Sequence, residues 1–476
     1  MISFFSSIAL LLIGYFLYSK VIEKIFGVDK DRQTPAYTKQ DGVDFVPMSW
    51  SKIFLIQFLN IAGLGPIFGA IAGAMWGPVA FFWIVFGNIL GGAVHDFFSG
   101  MISVRRNGES IPEIIGAYLG LSVKQIMRVF VVLMMILVGA VFVMGPAKIL
   151  DSMTSDALGL TFWATIIFIY YILATLLPID KIIGTIYPIF GLALLFMAIA
   201  ISFVMVYNGL PIPEVSFANM HSNPEQFPVF PLLFISIACG AISGFHSTQS
   251  PLMARCIKNE RYGRRVFYGA MVAEGIVALI WAAVGMSFWG GVKELNQVMA
   301  EHQGNAAWAV NEISLQLLGK VGSILAVLGV VAAPITSGDT AFRSARLIVA
   351  DIFKLNQKPI KNRLIISFFL FLGGFILTQV DFDIIWRYMA WSNQTLATLV
   401  LWAITVYLVR NKKLYWITLI PAIFMTAVVS TYLFIAPEGF HLERNLSYIV
   451  GLSITMLVLA IFILKFKSMK QNPEQL

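Results

Sequence analysis

Long apolar segments recur along the whole of this 476-residue chain, and they constrain its fold more than any other feature. About thirteen segments approach or exceed the roughly 20 residues that an α-helix needs to cross a bilayer. Apolar residues make up 58% of the chain and charged residues 12%, against roughly 45–50% and about 25% in soluble domains. The sequence therefore predicts an all-α polytopic membrane protein.

Charge placement predicts how these segments are oriented. The predicted spans are residues 2–18, 53–75, 76–103, 125–146, 160–178, 183–206, 229–256, 264–290, 321–347, 364–380, 384–409, 414–434 and 446–464. If the N-terminus lies outside, five of the 33 Lys and Arg residues fall on the outer side: Lys148, Lys293, Lys320, Arg387 and Arg444. The positive-inside rule then places the chain in the cytoplasmic (inner) membrane, with its C-terminus in the cytoplasm.

The basic residues separate apolar runs and are not interleaved with exposed aromatics, so we expect no nucleic-acid partner.

The segment at residues 53–75 contains residues that interrupt a helix. Pro66 lacks an amide hydrogen, and the neighbouring Gly63 and Gly65 lower the cost of leaving helical geometry. Interrupted backbone is tolerated in lipid where it is buried in protein or lines a cavity. The pattern predicts an unwound hinge, with Gly65, Gly69 and Gly73 as a stripe for close helix packing. The alternative is that these glycines serve packing alone.

A second apolar segment carries a polar patch between Cys239 and Pro251. So many hydroxyl and amide groups at membrane depth require partners, and a solute path would supply them. Within this patch, His246 either contacts the solute or is a hydrogen-bonded core residue.

A third interruption is predicted around Pro334, where Thr336 and Ser337 follow at once. Two adjacent hydroxyls and carbonyls freed by a proline kink are the hard oxygen ligands that small cations prefer. The alternative is that both hydroxyls bond back to their own helix.

The first two breaks occupy corresponding positions in two halves of opposite direction, which predicts an inverted repeat. Residues 53–206 and 229–409 form the five-helix repeats, 1–52 an extra helix with an inner loop, 207–228 an outer loop, and 410–476 two further helices with a tail. Half-helix ends favour a carboxylate at their amides and a cation at their carbonyls. The predicted solute contacts are Gly63, Leu64, Gly65, Gly240, Ser243, Gly244, His246, Ser247 and Gln249.

The broken segment before Pro66, together with the stretch from Ala333 to Ser337, resembles the amino acid–polyamine–organocation superfamily of transporters. The resemblance implies a LeuT-like core of five plus five helices with extra helices added. It also implies a sodium site made of backbone carbonyls and two hydroxyls. The counterparts in this sequence are Leu59, Ala62, Ala333, Thr336 and Ser337.

Most of residues 50–400 resemble the carbon starvation protein A family, and this resemblance is closer than the first. The matching motifs are Gly65-Pro-Ile-Phe-Gly69, Trp76-Gly-Pro78, His95-Asp-Phe97, Arg105 to Ile114, and Pro334 to Arg346. This resemblance implies import of pyruvate or uptake of peptides. The proton coupling known in that family is not matched to a particular residue here.

His95 and Asp96 are adjacent ionisable residues in a predicted span. They are expected to relay protons during coupling, or to anchor the helix beside Arg105.

Two further acids lie in predicted spans. Asp339 is interpreted as a proton carrier or as a partner of Arg343, and Glu274 is expected to be protonated or paired because an ionised carboxylate is costly in an apolar helix.

Together these features predict a secondary active transporter that imports a small carboxylate such as pyruvate, or a peptide. The coupling ion is H⁺ or Na⁺, and no other cofactor is expected. Nucleophile elbows, metal-binding histidine pairs and phosphate loops are absent from the sequence, which argues against an enzyme. The alternatives are a uniport or channel-like carrier and a transporter-like nutrient sensor, and the oligomeric state is left open.

Overall fold

The computed structural model describes residues 1–154, 158–176, 187–357 and 359–471, and every named element in this part of the chain is a helix. The helices are α1 (Ile2–Phe26), α2 (Trp50–Ile61), α3 (Gly65–Ala74), α4 (Val79–Arg105), α5 (Ile111–Leu119), α6 (Leu121–Met153), α7 (Leu160–Leu176), α8 (Tyr187–Tyr207), α9 (Gly244–Ala254), α10 (Glu260–Phe288), α11 (Val292–Glu301), α12 (Ala306–Ala326), α13 (Ala332–Phe353), α14 (Ile360–Leu377), α15 (Phe382–Arg410), α16 (Trp416–Ile435) and α17 (Arg444–Gln471). The all-α prediction is confirmed.

Helix length and composition support a multi-pass membrane protein. Among the described residues, nine helices are long and apolar enough to cross a bilayer, or ten when α2 and α3 count as one bent span. Each of the thirteen predicted spans overlaps a helix, although residues 177–178 and 183–186 lie outside the described ranges. The count of thirteen crossings, the division into two repeats and the LeuT-like core stay predictions.

The first predicted break is present. Helix α2 ends at Ile61, α3 begins at Gly65, and their axes are bent by 56°. Ala62 leaves helical geometry with φ −81° and ψ 46°. Pro66 lies in the first turn of α3, where its missing amide hydrogen costs no helical hydrogen bond.

The second predicted break is also present. Two short helical pieces, Val229–Leu233 and Phe234–Ser236, lead into seven non-helical residues at 237–243 before α9 begins at Gly244. Side chains from other helices satisfy the backbone that this break leaves unpaired. Trp83 donates to the Ile237 carbonyl (2.9 Å), Asn88 donates to the Gly240 carbonyl (3.1 Å), and Asn393 accepts from the Phe245 amide (2.6 Å). Hydrogen bonds from other helices therefore stabilise the non-helical backbone of this break.

The two broken spans pack side by side. Gly65 faces Cys239, Gly69 faces the Ser236 carbonyl, and Gly73 faces Ile237. A Cβ at any of the three glycines would meet the other span. The glycine stripe thus permits the close packing predicted for it, in addition to the break.

The third predicted break is wrong. The chain stays helical through Pro334, because α13 (Ala332–Phe353) continues directly from a π-helical turn at Val327–Val331. Pro334 follows this wider turn, and local irregularities inside helices commonly occur at such turns.

We predict that Gly69→Ala destabilises the protein. A Cβ at Gly69 would lie 2.7 Å from the Ser236 carbonyl oxygen, and overpacking against rigid backbone costs about 1–3 kcal/mol. Thermal unfolding of the detergent-purified variant measures the effect. Gly159→Ala is the matched control because a Cβ there meets nothing within 4 Å, and an equal change in both variants would contradict close packing at Gly69.

We predict that Asn393→Leu destabilises the second break. The substitution leaves the buried Phe245 amide without its acceptor, at a cost of about 1–3 kcal/mol. Amide hydrogen exchange at the start of α9 is expected to accelerate, as measured by mass spectrometry. Ser243→Ala removes the other bond to Asn393 (3.1 Å) but leaves the amide paired, so unchanged exchange in Asn393→Leu, or equal acceleration in both, would oppose this role.

Candidate functional site

Predicted cation ligands meet where α13 crosses the end of α2. The Ser337 hydroxyl lies 3.2 Å from the Leu59 carbonyl oxygen and 2.9 Å from the Ala333 carbonyl oxygen. The Thr336 hydroxyl donates to the same Ala333 carbonyl at 2.7 Å. Ala62, the fifth predicted ligand, is fully buried where α2 ends. Four of the five predicted oxygen sources are therefore linked by hydrogen bonds.

The contact between Ser337 and Leu59 joins two different helices. Bonds from both hydroxyls to Ala333 are ordinary back-bonds within α13. The bond to Leu59, in contrast, joins two helices whose residues are 278 positions apart. Gly63 also borders this point, since a Cβ there would lie 3.3 Å from the Ser337 hydroxyl oxygen. The first break thus ends against the hydroxyl pair.

Asp339 lies close to this cluster and bonds to a tyrosine. The Tyr187 hydroxyl donates to the Asp339 carboxylate at 2.8 Å and lies 3.4 Å from the Thr336 carbonyl. Arg343 reaches Asp44 at 3.4 Å. Sequence reasoning did not single out Tyr187, because a tyrosine in an apolar helix resembles an ordinary interfacial or core residue. The proton-carrying role of Asp339 stays a prediction.

Buried amide side chains line the interface between α2 and α9. Gln57 and Ser250 join these helices through a 3.5 Å hydrogen bond. Both polar atoms of Asn60, and the side-chain oxygens of Gln57 and Gln249, have no hydrogen-bond partner among the described residues. Buried polar groups are normally paired, so these atoms are positioned to bond a guest molecule or water. Among them, Gln249 was predicted as a solute contact, whereas Gln57 and Asn60 were not.

Several other predicted solute contacts are already engaged by the protein. Ser243 donates to Asn393 and Ser247 to the Gly244 carbonyl, while the Gly240 carbonyl accepts from Asn88. Gly244 lies so close to the α15 backbone that a Cβ would overlap it. Leu64 and Gly65 are buried in the first break. The solute role of all these residues stays a prediction, and the bonds show that many of them also hold the break in shape.

A fully buried ionisable network connects α4, α9 and α10. The Asp96 carboxylate lies between two imidazoles, 2.8 Å from His95 Nδ1 and 3.0 Å from His246 Nδ1. The far nitrogen of His246, Nε2, lies 3.5 Å from Glu274. Glu274 therefore has a neighbour, as expected for an acid in an apolar helix. The contact between Asp96 and His246 was not predicted, because the two residues are 150 positions apart in the sequence.

The structure leaves both interpretations of His95 and Asp96 open. Arg105, the residue expected beside them, bonds through Nε and Nη2 to Glu260, at 3.1 and 3.0 Å. The coupling role and the anchoring role of His95 and Asp96 both stay predictions.

Ionic contacts close the predicted inner side. Asp44, in the loop before α2, lies 3.4 Å from Arg343 and 3.6 Å from Arg346. Burial disfavours the Asp44 carboxylate, but Arg346, Arg343 and Arg255 outweigh that effect and lower its pKa.

On the predicted outer side, α3 borders a cavity of about 150 Å³. The cavity is lined by Phe68, Ala72, Lys148, His302, Phe382, Trp386 and neighbouring residues.

Known proteins resemble this chain in sequence and in fold. It is 27% identical to the peptide transporter CstA of Campylobacter jejuni, over 94% of this chain and 82% of the relative. It is 29% identical to the pyruvate/proton symporter BtsT of Escherichia coli, over 58% of this chain and 47% of the relative. A manganese transporter from Eremococcus coleocola superposes with a TM-score of 0.52 at 12% identity, covering 91% of this chain and 99% of that chain. At this low sequence identity the superposition shows a shared fold, and it indicates nothing about the cargo of this chain.

The family comparison covers most of the chain. The model described as "Carbon starvation protein CstA" matches residues 1–159, 152–318 and 315–432. The named relatives above are transporters, in agreement with a chain of long apolar helices. The resemblance to carbon starvation proteins is confirmed, and the chain belongs to the CstA family.

Proposed function

We propose that this protein is a secondary active transporter that imports a small carboxylate or a short peptide together with a cation. The observation that carries the proposal is the hydroxyl of Ser337, which bonds both the broken end of α2 and the start of α13. A cation at this point would link the first break to a second helix. Na⁺ suits the neutral hydroxyl and carbonyl oxygens, whereas the named relative BtsT is a proton symporter.

Binding of Na⁺ would require a small rearrangement of hydrogen atoms. The hydroxyls of Thr336 and Ser337 now point their hydrogens at carbonyl oxygens. Rotation of both hydroxyls would direct their lone pairs at the ion, joined by the carbonyls of Leu59, Ala62 and Ala333. Oxygen ligands of this kind are the ones hard cations prefer.

The solute is proposed to bind beside this cation, between α2 and α9. The amides of Asn60, Gln57 and Gln249 offer unpaired donors and acceptors in a fully buried setting. A carboxylate or peptide group would satisfy them, and both breaks would present backbone groups nearby. His246 and the backbone from Gly63 to Gly65 border the same region of broken helix.

Alternating access then follows from the two faces of the structure. The predicted outer side has a cavity bordered by α3, and the predicted inner side is closed by ionic contacts around Asp44. Transport would open the inner contacts while the outer cavity closes around the broken spans. Arg343 links the inner closure to α13, the helix that carries the cation ligands.

We predict that Ser337→Ala weakens cation dependence. Loss of one oxygen ligand is expected to raise the half-saturating Na⁺ concentration at least about tenfold, which corresponds to about 1.4 kcal/mol. The measurement is uptake of labelled pyruvate and of labelled dipeptides into proteoliposomes, with Na⁺ and proton gradients imposed separately. Ser287→Ala is the control, because Ser287 is buried and bonds back to Ala283 within its own helix.

The same experiment separates the alternatives. Uptake that follows only the proton gradient, with Ser337→Ala unchanged, would overturn the sodium assignment while leaving cation-coupled import in place. Flux that responds to neither ion gradient indicates a uniporter if it saturates with solute and a channel if it does not. Solute binding without flux indicates a sensor.

We predict that Asn60→Leu weakens solute binding without reducing stability. The Asn60 amide is buried and has no hydrogen-bond partner within the described ranges, so its removal is expected to leave the thermal midpoint unchanged or higher. Loss of a hydrogen bond to bound solute is expected to raise the half-saturating solute concentration about tenfold or more. Counterflow and thermal unfolding measure the two effects. A lower midpoint with unchanged solute affinity would assign Asn60 to the fold instead.

A further inference from the structure

We infer that the second break forms a binding site for a transition-metal ion, held by Cys239, His246 and Glu274. The thiol sulfur, one imidazole nitrogen and one carboxylate oxygen of these residues lie within 4.8 Å of one another. All three residues are buried. The inference is independent of the transported solute and of the oxygen cluster around Ser337.

Two of the three ligand residues offer atoms without a hydrogen-bond partner. His246 Nε2 and both carboxylate oxygens of Glu274 have no hydrogen-bond partner among the described residues. The third ligand atom, the Cys239 sulfur, lies 3.7 Å from the Ser243 hydroxyl and accepts from the Asn393 amide at 3.9 Å, and a thiolate ligand could accept from both. The nitrogen and the nearer oxygen are 3.5 Å apart, a spacing compatible with two ligands about 2.0–2.2 Å from a shared metal ion. Buried, unpaired atoms of this kind call for an occupant.

The surroundings of His246 orient it as a metal ligand. Its Nδ1 bonds the Asp96 carboxylate at 3.0 Å, and Asp96 is held in turn by His95 at 2.8 Å. When the Nδ1 hydrogen is donated to Asp96, the lone pair of Nε2 faces Glu274. A carboxylate behind a ligating histidine is the usual arrangement in metal sites, because it fixes the tautomer and ring orientation.

The break itself brings the cysteine to the other two ligands. Cys239 lies in the non-helical stretch 237–243, and the adjacent Gly240 approaches Ala278 so closely that a Cβ would overlap it. Ala278 is one turn beyond Glu274 on α10. A continuous helix would not carry the thiol to this point on α10.

The donor set selects the class of ion. Calcium and magnesium take oxygen ligands, whereas a set of thiolate, imidazole and carboxylate suits Zn²⁺ and related ions. Three protein ligands leave a fourth position open to water. Binding would release the thiol proton of Cys239, since the thiolate is the ligand.

The test is metal binding to the full-length protein purified in detergent. We expect one Zn²⁺ per chain after treatment with chelator and reloading, and Co²⁺ to give the near-ultraviolet absorption of a sulfur-to-metal charge transfer. Cys239→Ser is expected to abolish that absorption, and Glu274→Gln to weaken Zn²⁺ binding at least tenfold. Asp96→Asn, a positioning variant, is expected to weaken binding about 10–100-fold.

Cys256→Ser is the matched control, because Cys256 is the other buried free cysteine and lies against the Asp44 carbonyl. It is expected to keep the Co²⁺ absorption and the Zn²⁺ affinity. Absence of saturable binding, a Co²⁺ spectrum without the sulfur band in the unmodified protein, or equal loss in Cys256→Ser would overturn the inference. The spectrum of the unmodified protein decides the matter even if a variant fails to fold.

Discussion

Peptide groups that lose their helical partners inside a bilayer must find new partners within the protein, and this requirement organises the whole structure. Two spans break their hydrogen-bond ladder, at residues 62–64 and 237–243. At the second break, side chains of Trp83, Asn88 and Asn393 replace the missing partners. Helices α4 and α15 are therefore held against the second break by polar contacts as well as by apolar packing.

The breaks were predictable because their causes are local. Proline beside glycine, and a run of hydroxyls and amides in an apolar segment, are visible without any knowledge of the fold. The third break was predicted from the same reasoning and was wrong. Pro334 follows a π-helical turn, and the chain is helical on both sides of it, so a proline in an apolar segment does not by itself unwind the backbone. The Ser337 hydroxyl nevertheless lies beside the Leu59 and Ala333 carbonyls, and the cation role of this cluster stays a prediction.

The contacts that give the site its chemistry were not predictable, because they join distant residues. Asp96 and His246 are 150 positions apart, and Tyr187 and Asp339 are 152 positions apart. A carboxylate next to a histidine in sequence suggested an isolated pair, whereas the fold places the same carboxylate between two imidazoles. Single-sequence reasoning identifies which residues need partners, as it did for Glu274, but the tertiary structure decides which partners they receive.

The two breaks differ in chemistry although they pack together. The first presents neutral oxygens from Leu59, Ala333 and Ser337, while the second presents a thiol, an imidazole and a carboxylate. Hard alkali cations and softer transition metals prefer these two sets respectively. Movement of α9 against α10 would separate Cys239 and His246 from Glu274, and movement of α13 against α2 would separate Ser337 from Leu59. An ion bound at either proposed site would therefore resist the motion of one broken span, so that each ion would stabilise one conformation of the protein.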